Sequence, residues 1–584
     1  MKPDFNKDIV YLGTTNFRGR EKTFGIKNND RFQHMYVIGQ TGTGKTTLLK
    51  NIAIQDVKAG RGITIIDPHG EFVDDILASI PDYRLDDVIY FDPVDTDYPI
   101  GFNILEAKEP EYKHLISSGL MSVFTKIWAN VWSARMEYIL NNTVLAVIDT
   151  PGATLLSILR MLVDKSYRQY VVNNCQDPMV RSFWVNEYEQ YEPRFRTEAI
   201  APIQNKVGQF LSSHIIRNIV GQTKSTLDIA EVMNKGKILL VNVSKGKVGE
   251  DNSALLGAML ITKIQLAAME RVRIKQEDRR DFILFIDEFQ NFVTDSFASI
   301  LSEARKYRLG MVISHQYIGQ LITEQTGERL KDAVFGNVGT TITFRVSAQD
   351  AEYLEKHYAP YLLADDLIGL PNYQVYMKIM IGGTSSRPFS ANTLPPIKVI
   401  ASPEHKQFII DNSRRNYARR RDDVEANIAS WAGSRGGETP PKKEVPSTWA
   451  SGVAGIGTAP AKSKTKYSID LKAPGVEGAE EAVGSSQITP AGRTSSPTFM
   501  PNKEISQTTT PGPPWYKVDQ APKPVSKWPK KRKPAGHSQP QPPNSNNKPP
   551  LPGTTNKGPN YSLRDALNKA LGIGDESNNQ ANSA

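Results

Sequence analysis

Cysteine is nearly absent from this sequence, since Cys175 is the one cysteine among 584 residues. A single thiol excludes internal disulfides and any zinc site built on several thiolates. The sequence also lacks an uninterrupted apolar run of about 18 residues, the minimum for a membrane-spanning helix. Its start, "MKPDFNKDIVYLG", lacks the apolar segment of a signal peptide. These absences lead us to expect a cytoplasmic protein.

The positive charge is concentrated in the C-terminal part of the chain. The whole sequence has 71 Lys and Arg against 62 Asp and Glu, and residues 401–584 hold 26 of the basic and 16 of the acidic side chains. Residues 1–400 therefore carry 45 basic (71 less 26) against 46 acidic (62 less 16) side chains, a net charge of −1. Nucleic-acid binding by that part must depend on local patches rather than on bulk charge.

Short apolar runs alternate with helical patterns up to about residue 400, which is typical of an α/β protein with a parallel sheet covered on both faces. The predicted strands are residues 35–39, 63–67, 88–92, 238–243, 282–287, 311–315, 340–344 and 373–380. Strand signals vanish over residues 106–225, where long helical patterns dominate. We therefore expect an α/β core of residues 1–105 and 226–400 with an all-α domain, residues 106–225, inserted into it.

The remaining chain divides by composition. Residues 401–431 have a helical pattern, and residues 432–560 are rich in Pro, Gly, Ser, Lys and Asn, which predicts a disordered basic linker. Within it, "KWPKKRKP" (527–534) either binds DNA or anionic lipid or is a solvated charge run. A short helix is predicted over residues 561–573, and it either frays alone or docks on a partner.

A phosphate loop is the strongest motif. "GQTGTGKT", residues 39–46, fits G-x-x-x-x-G-K-[ST], follows a predicted strand and opens a helical pattern. Glycines in such a loop let successive backbone N–H groups point at phosphate oxygens. We expect Lys45 to reach the β- and γ-phosphates and Thr46 to bind Mg²⁺. The predicted nucleotide-binding residues are Gly39, Gln40, Thr41, Gly42, Thr43, Gly44, Lys45, Thr46 and Thr47.

An acidic pair follows a second buried strand, in "FILFIDEFQNF" (282–292). The pair, Asp287 and Glu288, lies where a strand of an open α/β sheet ends, which is where such sheets bind ligands. We expect Asp287 to hold Mg²⁺ through its water shell and Glu288 to polarise the attacking water.

The segment "LSEARKYRLGMVISHQ", residues 301–316, begins as a helix and ends as a strand. A helix over residues 297–308 places apolar side chains in one buried stripe, formed by Phe297, Ile300, Leu301 and Ala304. The strand that follows is expected beside the Asp-Glu strand, because consecutive elements of such sheets are usually neighbours.

Two polar residues of this segment are candidate catalytic residues. Gln316 ends the strand, where its amide could sense the γ-phosphate or orient water. The alternative interpretation is a solvated polar residue at a strand end. Arg305 lies at the border of the helix stripe, where it is better placed to reach a neighbouring subunit's nucleotide than its own. Arg308, Arg18 and Arg20 compete for the same role. The alternative interpretation is that Arg305 forms a surface ion pair.

The acidic turn "DPHGEF" (67–72) follows another strand at the same sheet end and could line the nucleotide site or a subunit joint. His69 in this turn is interpreted as a loop residue, because no metal-like His/Cys spacing surrounds it. The sequence has no H-E-x-x-H, no G-x-S-x-G and no Cys-His pair, so a protease or esterase has no support.

In their order along the chain, these motifs resemble the conjugative type IV secretion coupling proteins (TraG/TraD-like), hexameric ring ATPases of the HerA–FtsK superfamily. The similar segments are "MYVIGQTGTGKTTLL", "IIDPHGEF", "VIYFDP", "ILLVNVSKGKVGED", "FILFIDEFQNF" and "ARKYRLGMVISHQ", within residues 10–400. The resemblance implies a RecA-like P-loop NTPase core with an inserted all-α domain, using ATP and Mg²⁺. Gln316 matches the family's sensor, and Arg305 matches its arginine finger.

The same resemblance implies partners: DNA, a relaxase or relaxosome, type IV secretion channel subunits and further copies of the chain in a homo-hexamer. One feature departs from the family, whose typical members begin with two membrane helices. Only residues 1–34 precede the first predicted strand here. Membrane contact, at the inner face of the cell membrane, is therefore expected only peripherally or through a partner.

The leading hypothesis is an ATP-driven DNA translocase that delivers relaxase-linked DNA to a conjugation or secretion channel. One alternative is a cytosolic DNA-processing or packaging ATPase of the same superfamily. Another is a nucleotide-controlled scaffold that recruits partners without translocation.

Overall fold

The structure is a computed structural model that describes residues 8–16, 21–107, 109–322, 327–398 and 402–433. The predictions for Arg18 and Arg20, for the basic cluster 527–534 and for the helix 561–573 lie outside the described residues, as does nearly all of the linker expected over 432–560.

A mixed sheet of eleven strands forms the centre, and a separate pair of strands lies beside it. The strands are β1 (Ile9–Thr15), β2 (Thr23–Lys27), β3 (Met35–Ile38), β4 (Gly62–Asp67), β5 (Val88–Phe91), β6 (Ile238–Asn242), β7 (Phe282–Ile286), β8 (Leu309–His315), β9 (Thr340–Thr343), β10 (Gln374–Lys378), β11 (Met380–Ile381), β12 (Thr384–Ser385) and β13 (Phe389–Thr393). The order in the large sheet is β2-β1-β13-β10-β9-β3-β8-β7-β4-β6-β5.

Seven neighbouring strands, from β9 to β5 in that order, run parallel. This confirms the expected α/β class, and all eight predicted strands are present. The expectation that the first strand begins at residue 35 was wrong, because β1 and β2 precede it. These strands and β13 pair antiparallel at the far edge of the sheet. Their side chains are largely half-buried, so they lack the apolar run that marks the central strands.

The α-helices are α1 (Lys45–Lys58), α2 (Glu71–Ala78), α3 (Lys113–Ile127), α4 (Ala134–Ile148), α5 (Leu155–Val163), α6 (Lys165–Asn174), α7 (Pro178–Ser182), α8 (Pro193–Ser212), α9 (His214–Val220), α10 (Ile229–Lys235), α11 (Lys245–Val248), α12 (Glu250–Glu270), α13 (Asp295–Glu303), α14 (Arg329–Asn337), α15 (Ala348–Tyr358), α16 (Ala364–Ile368), α17 (Pro403–Tyr417) and α18 (Arg421–Gly433). The range expected for the inserted domain contains α3 to α9. The range expected for the helical extension contains α17 and most of α18, which ends two residues later.

Helices cover both faces of the parallel strands, which explains their unbroken apolar runs. Successive side chains of a strand point to opposite faces. In β7, Leu284 packs in the cluster that includes Leu120 of α3. Its neighbour Ile283 packs in the cluster that includes Leu48 of α1. Most residues of such a strand are therefore apolar.

One described helical segment, Glu250–Arg273, has the length and apolar composition of a membrane span, and 72% of its apolar window is buried inside the structure. Length and composition are weak evidence by themselves, since a buried core helix meets the same criteria. Close packing explains its apolar character: a Cβ added at Gly119 of α3 would lie 2.5 Å from Cγ2 of Thr262 of α12.

The helical extension packs against the helices of the expected insert. Arg160 of α5 donates a hydrogen bond from Nη1 to the carbonyl oxygen of Trp431 over 2.7 Å. Asn218 of α9 donates from Nδ2 to Oε1 of Glu425 over 3.0 Å. The end of the described chain is thereby attached to a region more than 200 residues earlier.

Candidate nucleotide-binding site

The phosphate loop joins β3 to α1, as its motif requires. Gly42 and Gly44 have left-handed backbones, with φ of 78° and 116°. A Cβ at Gly44 would lie 2.8 Å from Cδ1 of Tyr373, whereas a Cβ at Gly42 would meet nothing within 4 Å. Glycine is therefore required at Gly44 by space as well as by conformation. Of the predicted binding residues, three are exposed at the tip: Gln40, Thr41 and Gly42.

Lys45, the first residue of α1, points into the loop. Its Nζ donates to the carbonyl oxygens of Gly39 over 2.7 Å and Gln40 over 3.2 Å. Burial lowers the pKa of Lys45, and the carboxylates of Glu288 and Asp287 oppose that shift. The ammonium group therefore lies inside the loop, with negative charge close by.

The order of the parallel strands brings the predicted residues together. Strand β8 lies between β3 and β7, and all three run parallel. Their carboxyl ends carry the phosphate loop, Gln316 and the Asp287–Glu288 pair at one edge of the sheet. The expectation that β7 and β8 are neighbours is confirmed.

Asp287 is buried and fully engaged. Thr46 donates from Oγ1 to its Oδ2 over 3.2 Å, and the Ser314 hydroxyl and the Glu288 backbone N–H donate to its Oδ1. Burial raises the pKa of Asp287, and the bond from Ser314 opposes that shift. The sequence interpretation missed Ser314, although a small polar residue inside an apolar strand, two positions before Gln316 on the same face, was a usable signal.

The Thr46 hydroxyl and the Asp287 carboxylate are the oxygens here that suit Mg²⁺, which prefers oxygen ligands and keeps several waters. No group of three or more His, Cys, Asp or Glu that could hold a metal occurs among the described residues. The donor set therefore fits a magnesium ion held by few protein ligands together with a nucleotide's phosphates.

Glu288 has a left-handed backbone, with φ 48° and ψ 50°, although it is not glycine. Its carboxylate accepts two amide hydrogen bonds: Gln316 Nε2 to Oε1 over 2.9 Å and Gln290 Nε2 to Oε2 over 2.6 Å. Asn291 donates from Nδ2 to the Glu288 carbonyl oxygen over 2.9 Å. A strained, buried residue held this firmly is typical of a functional site.

A lysine from the helical region contacts the same loop. Lys126 of α3 donates from Nζ to the carbonyl oxygen of Gln290 over 2.7 Å. Burial lowers the pKa of Lys126 to about 7, and the nearby charge of Lys245 adds to that shift. Lys245 itself donates to Oδ1 of Asn291 over 2.9 Å. No local pattern indicates this contact, because the partners are 164 residues apart.

The expected helix 297–308 was wrong in extent. Helix α13 ends at Glu303, and a 3₁₀ turn, Ala304–Tyr307, follows it. The expected apolar stripe is buried. The helix tightens at its end because the chain must turn at Arg308, which has a left-handed backbone with φ 56°.

Neither arginine of this segment, Arg305 or Arg308, lies at the edge of the sheet that carries the phosphate loop. Arg305 is exposed and precedes β8, whereas Gln316 follows it. Seven strand residues at about 3.3 Å each place roughly 20 Å between the two ends. Arg308 forms an ion pair with Asp281 and lies over the Phe32 ring, 4.8 Å from its centroid. Arg305 therefore does not join the site of its own chain.

Arg345, which the sequence interpretation missed, contacts the phosphate loop. Its Nε donates to Oε1 of Gln40 over 3.2 Å, and its carbonyl oxygen accepts from the Gln40 N–H over 2.9 Å. It lies two residues after the end of β9, the other neighbour of β3. The rule that functional side chains follow parallel strands would have found it.

Asp67, in the acidic turn, is occupied by the backbone. Its Oδ1 accepts from the His69 N–H, and its Oδ2 accepts from the N–H groups of Phe72 and Val73, over 2.8 to 3.2 Å. This carboxylate therefore fixes the start of α2. His69 is an exposed turn residue.

Here a glycine-rich loop joins a parallel strand to a helix, and an acidic pair follows β7, which is separated from β3 by one strand. This is the arrangement of a P-loop NTPase fold. A family model described as the type IV secretion-system coupling protein DNA-binding domain matches residues 23–361, more than half of the chain. The chain belongs to this family, which confirms the resemblance drawn from its motifs.

Similar solved structures include the plasmid coupling protein TrwB in complex with the non-hydrolysable GTP analogue GDPNP. It is 17% identical to this chain, with a TM-score of 0.48, and the match covers 67% of this chain and 96% of that chain. TrwB in complex with ADP and Mg²⁺ has 16% identity, coverage of 68% and 97%, and a TM-score of 0.48. VirB4 of Thermoanaerobacter pseudethanolicus has 13% identity, coverage of 68% and 98%, and a TM-score of 0.44. No curated protein matches the chain.

Proposed function

We propose that this protein is an ATP hydrolase that translocates DNA, acting as the coupling protein of a conjugative or type IV secretion system. The observation that carries the proposal is the meeting of three groups at one sheet edge: the phosphate loop, the Thr46–Asp287 pair and the Glu288–Gln316 pair. Membership of the coupling-protein family supports the role in secretion.

Nucleotide binding is assigned to residues 39–47. The loop N–H groups and Lys45 hold the β- and γ-phosphates. Lys45 Nζ supports this assignment because it donates a hydrogen bond to the loop carbonyl oxygen of Gly39. Thr46 and Asp287 hold Mg²⁺, which neutralises phosphate charge when bound.

Hydrolysis is assigned to Glu288. The oxygen of a water molecule attacks the γ-phosphorus, Glu288 accepts the proton that this water loses, and ADP leaves. Gln316 donates to the Glu288 carboxylate and lies beside the expected position of that water. Its amide therefore orients the base and the water together.

Arg305 is assigned to the active site of a neighbouring copy. It is exposed and lies at the sheet edge opposite to its own phosphate loop. A guanidinium group supplied by the next subunit of a homo-hexameric ring stabilises the charge that develops on the γ-phosphate. Hydrolysis then requires assembly.

DNA, a relaxase complex and channel subunits are the proposed partners, with the helices within 106–225 as the recognition domain. The basic C-terminal part supplies a further contact to DNA or to anionic lipid. The proposed location is the cytoplasm at the inner face of the membrane, reached through a partner.

The test is phosphate release from ATP and from GTP, with and without DNA, by the wild type, Lys45→Ala and Arg305→Ala. Lys306→Ala is the matched control, because Lys306 is an adjacent exposed cation that pairs with Glu303 at 3.9 Å. We expect DNA to stimulate the wild type and Lys306→Ala, and both other variants to lose hydrolysis. Hydrolysis without DNA stimulation favours the scaffold hypothesis.

Mixing two inactive variants tests the role of Arg305 directly. A ring of Arg305→Ala and Glu288→Gln subunits contains sites with an intact Glu288 beside a neighbour's intact Arg305. Partial recovery of hydrolysis is expected. Intact rings without recovery contradict the assignment between subunits, and capture of a relaxase or a channel subunit separates secretion from DNA packaging.

A further inference from the structure

Tyr373 has an unusual backbone for its side chain. It lies between α16 and β10 and has φ 65°, a left-handed conformation that bulky residues rarely adopt. The residue is 53% exposed. An exposed aromatic ring in a disfavoured conformation calls for a functional explanation.

Hydrogen bonds tie this residue to the phosphate loop. The Tyr373 N–H donates to the carbonyl oxygen of Thr43 over 2.9 Å, and its own carbonyl oxygen accepts from the N–H of Thr393 over 2.8 Å. The ring lies against Gly44, where an added Cβ would be 2.8 Å from Cδ1. The position of the ring is therefore set by the loop that holds the phosphates.

A second attachment lies beside the first. Arg345 donates from Nη1 to the carbonyl oxygen of Leu370 over 3.1 Å and from Nε to Oε1 of Gln40 over 3.2 Å. The segment from Leu370 to Tyr373 is thus held to both ends of the phosphate loop.

The sheet order indicates which end of a nucleotide this segment meets. Glu288 and Gln316 follow β7 and β8, on one side of β3. Strands β9 and β10, with Arg345 and Tyr373, lie on the other side. A triphosphate with its γ end at Glu288 directs its nucleoside toward Tyr373.

We infer, resting on the proposed function, that the Tyr373 ring is the surface on which the nucleobase stacks. Stacking on an aromatic ring tolerates any base, because every base has a π face. We therefore expect ATP and GTP to bind with similar affinity. The ring should not contribute to the affinity of a ligand that lacks a base.

The experiment measures binding of ATP, GTP and inorganic tripolyphosphate, each with Mg²⁺, by calorimetry. The variants are Tyr373→Gly, which removes the ring and suits the left-handed backbone, and Tyr373→Phe, which keeps the ring. Tyr373→Asn is the second ring-free variant, because asparagine also tolerates this conformation. Tyr361→Ala is the matched control, since Tyr361 is 50% exposed and has no bond to the phosphate loop in the described contacts.

We expect Tyr373→Gly and Tyr373→Asn to weaken ATP and GTP binding about tenfold and to leave tripolyphosphate binding unchanged. Tyr373→Phe and Tyr361→Ala should match the wild type. Equal weakening of all three ligands would show that the ring only shapes the loop and would overturn the inference, as would no change in any of them. A wild type that binds neither ATP nor tripolyphosphate would overturn the proposed function itself.

Discussion

Gln316 donates a hydrogen bond from Nε2 to Oε1 of Glu288 over 2.9 Å, which joins the end of β8 to the loop after β7. Gln290 donates to the other carboxylate oxygen. Because both oxygens accept from amides, the carboxylate has a fixed orientation. In the proposed mechanism, Glu288 therefore needs no reorientation before it receives a proton.

Replacing Gln316 should impair catalysis more than binding. We expect Gln316→Ala to lower kcat by about 10²-fold with little change in KM, since a positioned group of this kind acts in the transition state. Gln316→Glu should lower kcat as well, because it replaces the amide donor to Glu288 with a second carboxylate that repels it. Steady-state hydrolysis measures both variants.

The control for Gln316 is Gln407→Ala. Gln407 also donates to a carboxylate, that of Asp411 over 2.9 Å, but on the exposed face of α17. It should leave kcat unchanged. An equal loss in the two variants would contradict the role of Gln316.

Lys126 should link the helical region to the catalytic loop. Because its ammonium group bonds the Gln290 carbonyl oxygen, Lys126→Met should free Gln290 and Glu288 and lower kcat about tenfold while nucleotide affinity holds. Lys126→Arg should retain part of the activity. Lys113→Met on the same helix is the control, since Lys113 pairs with Asp149 away from the loop. Unchanged kcat in Lys126→Met would contradict the link.

A buried ion pair should hold the helix that begins at the phosphate loop. Arg31 and Asp56 are 1% and 0% exposed, and their two bonds measure 2.6 and 2.7 Å. Asp56→Ala leaves the buried guanidinium group of Arg31 uncompensated and also breaks the ion pair of Asp56 with Arg61 at 2.9 Å, which together should lower the free energy of unfolding by about 4 kcal/mol. Urea denaturation measures the change.

The exposed pair of Lys50 and Asp75 on the neighbouring helices provides the comparison, with Asp75 60% exposed. Asp75→Ala should cost less than about 1 kcal/mol. Equal costs for the two substitutions would show that the buried pair has no special weight.

Acid should destabilise the fold through His34. Burial lowers the pKa of His34 to about 4 from its ordinary 6.5, while its Nδ1 accepts from the Met311 N–H and its Nε2 bonds the Leu301 carbonyl oxygen. The unfolded chain therefore binds a proton between pH 6.5 and 4 that the folded chain does not. Stability is full above pH 6.5 and should fall by about 3 kcal/mol as the pH drops to 4.

Urea denaturation of the wild type and His34→Asn across that pH range tests the assignment. Asparagine does not titrate and keeps a polar side chain at this position. The variant should be less stable at pH 7 but lose about 3 kcal/mol less on acidification. Parallel pH profiles would contradict it.

The sequence by itself determined the central strands and the residues that follow them. The phosphate loop and the Asp287–Glu288 pair are contiguous motifs, because loop curvature and strand burial depend on neighbouring residues. The seven parallel strands are buried on both faces and most therefore show apolar runs, whereas the eighth predicted strand, β10, has alternating burial. The antiparallel edge strands were missed because half-exposed strands lack such runs.

Tertiary structure alone decided which side chains meet. The position of β8 between β3 and β7 puts Gln316 on Glu288. Arg345 donates a hydrogen bond to Gln40, which is 305 residues away in the sequence, and Lys126 donates one to Gln290, which is 164 residues away. No local pattern records these contacts, because strand order and helix docking depend on the packing of the whole sheet rather than on the residues beside each partner.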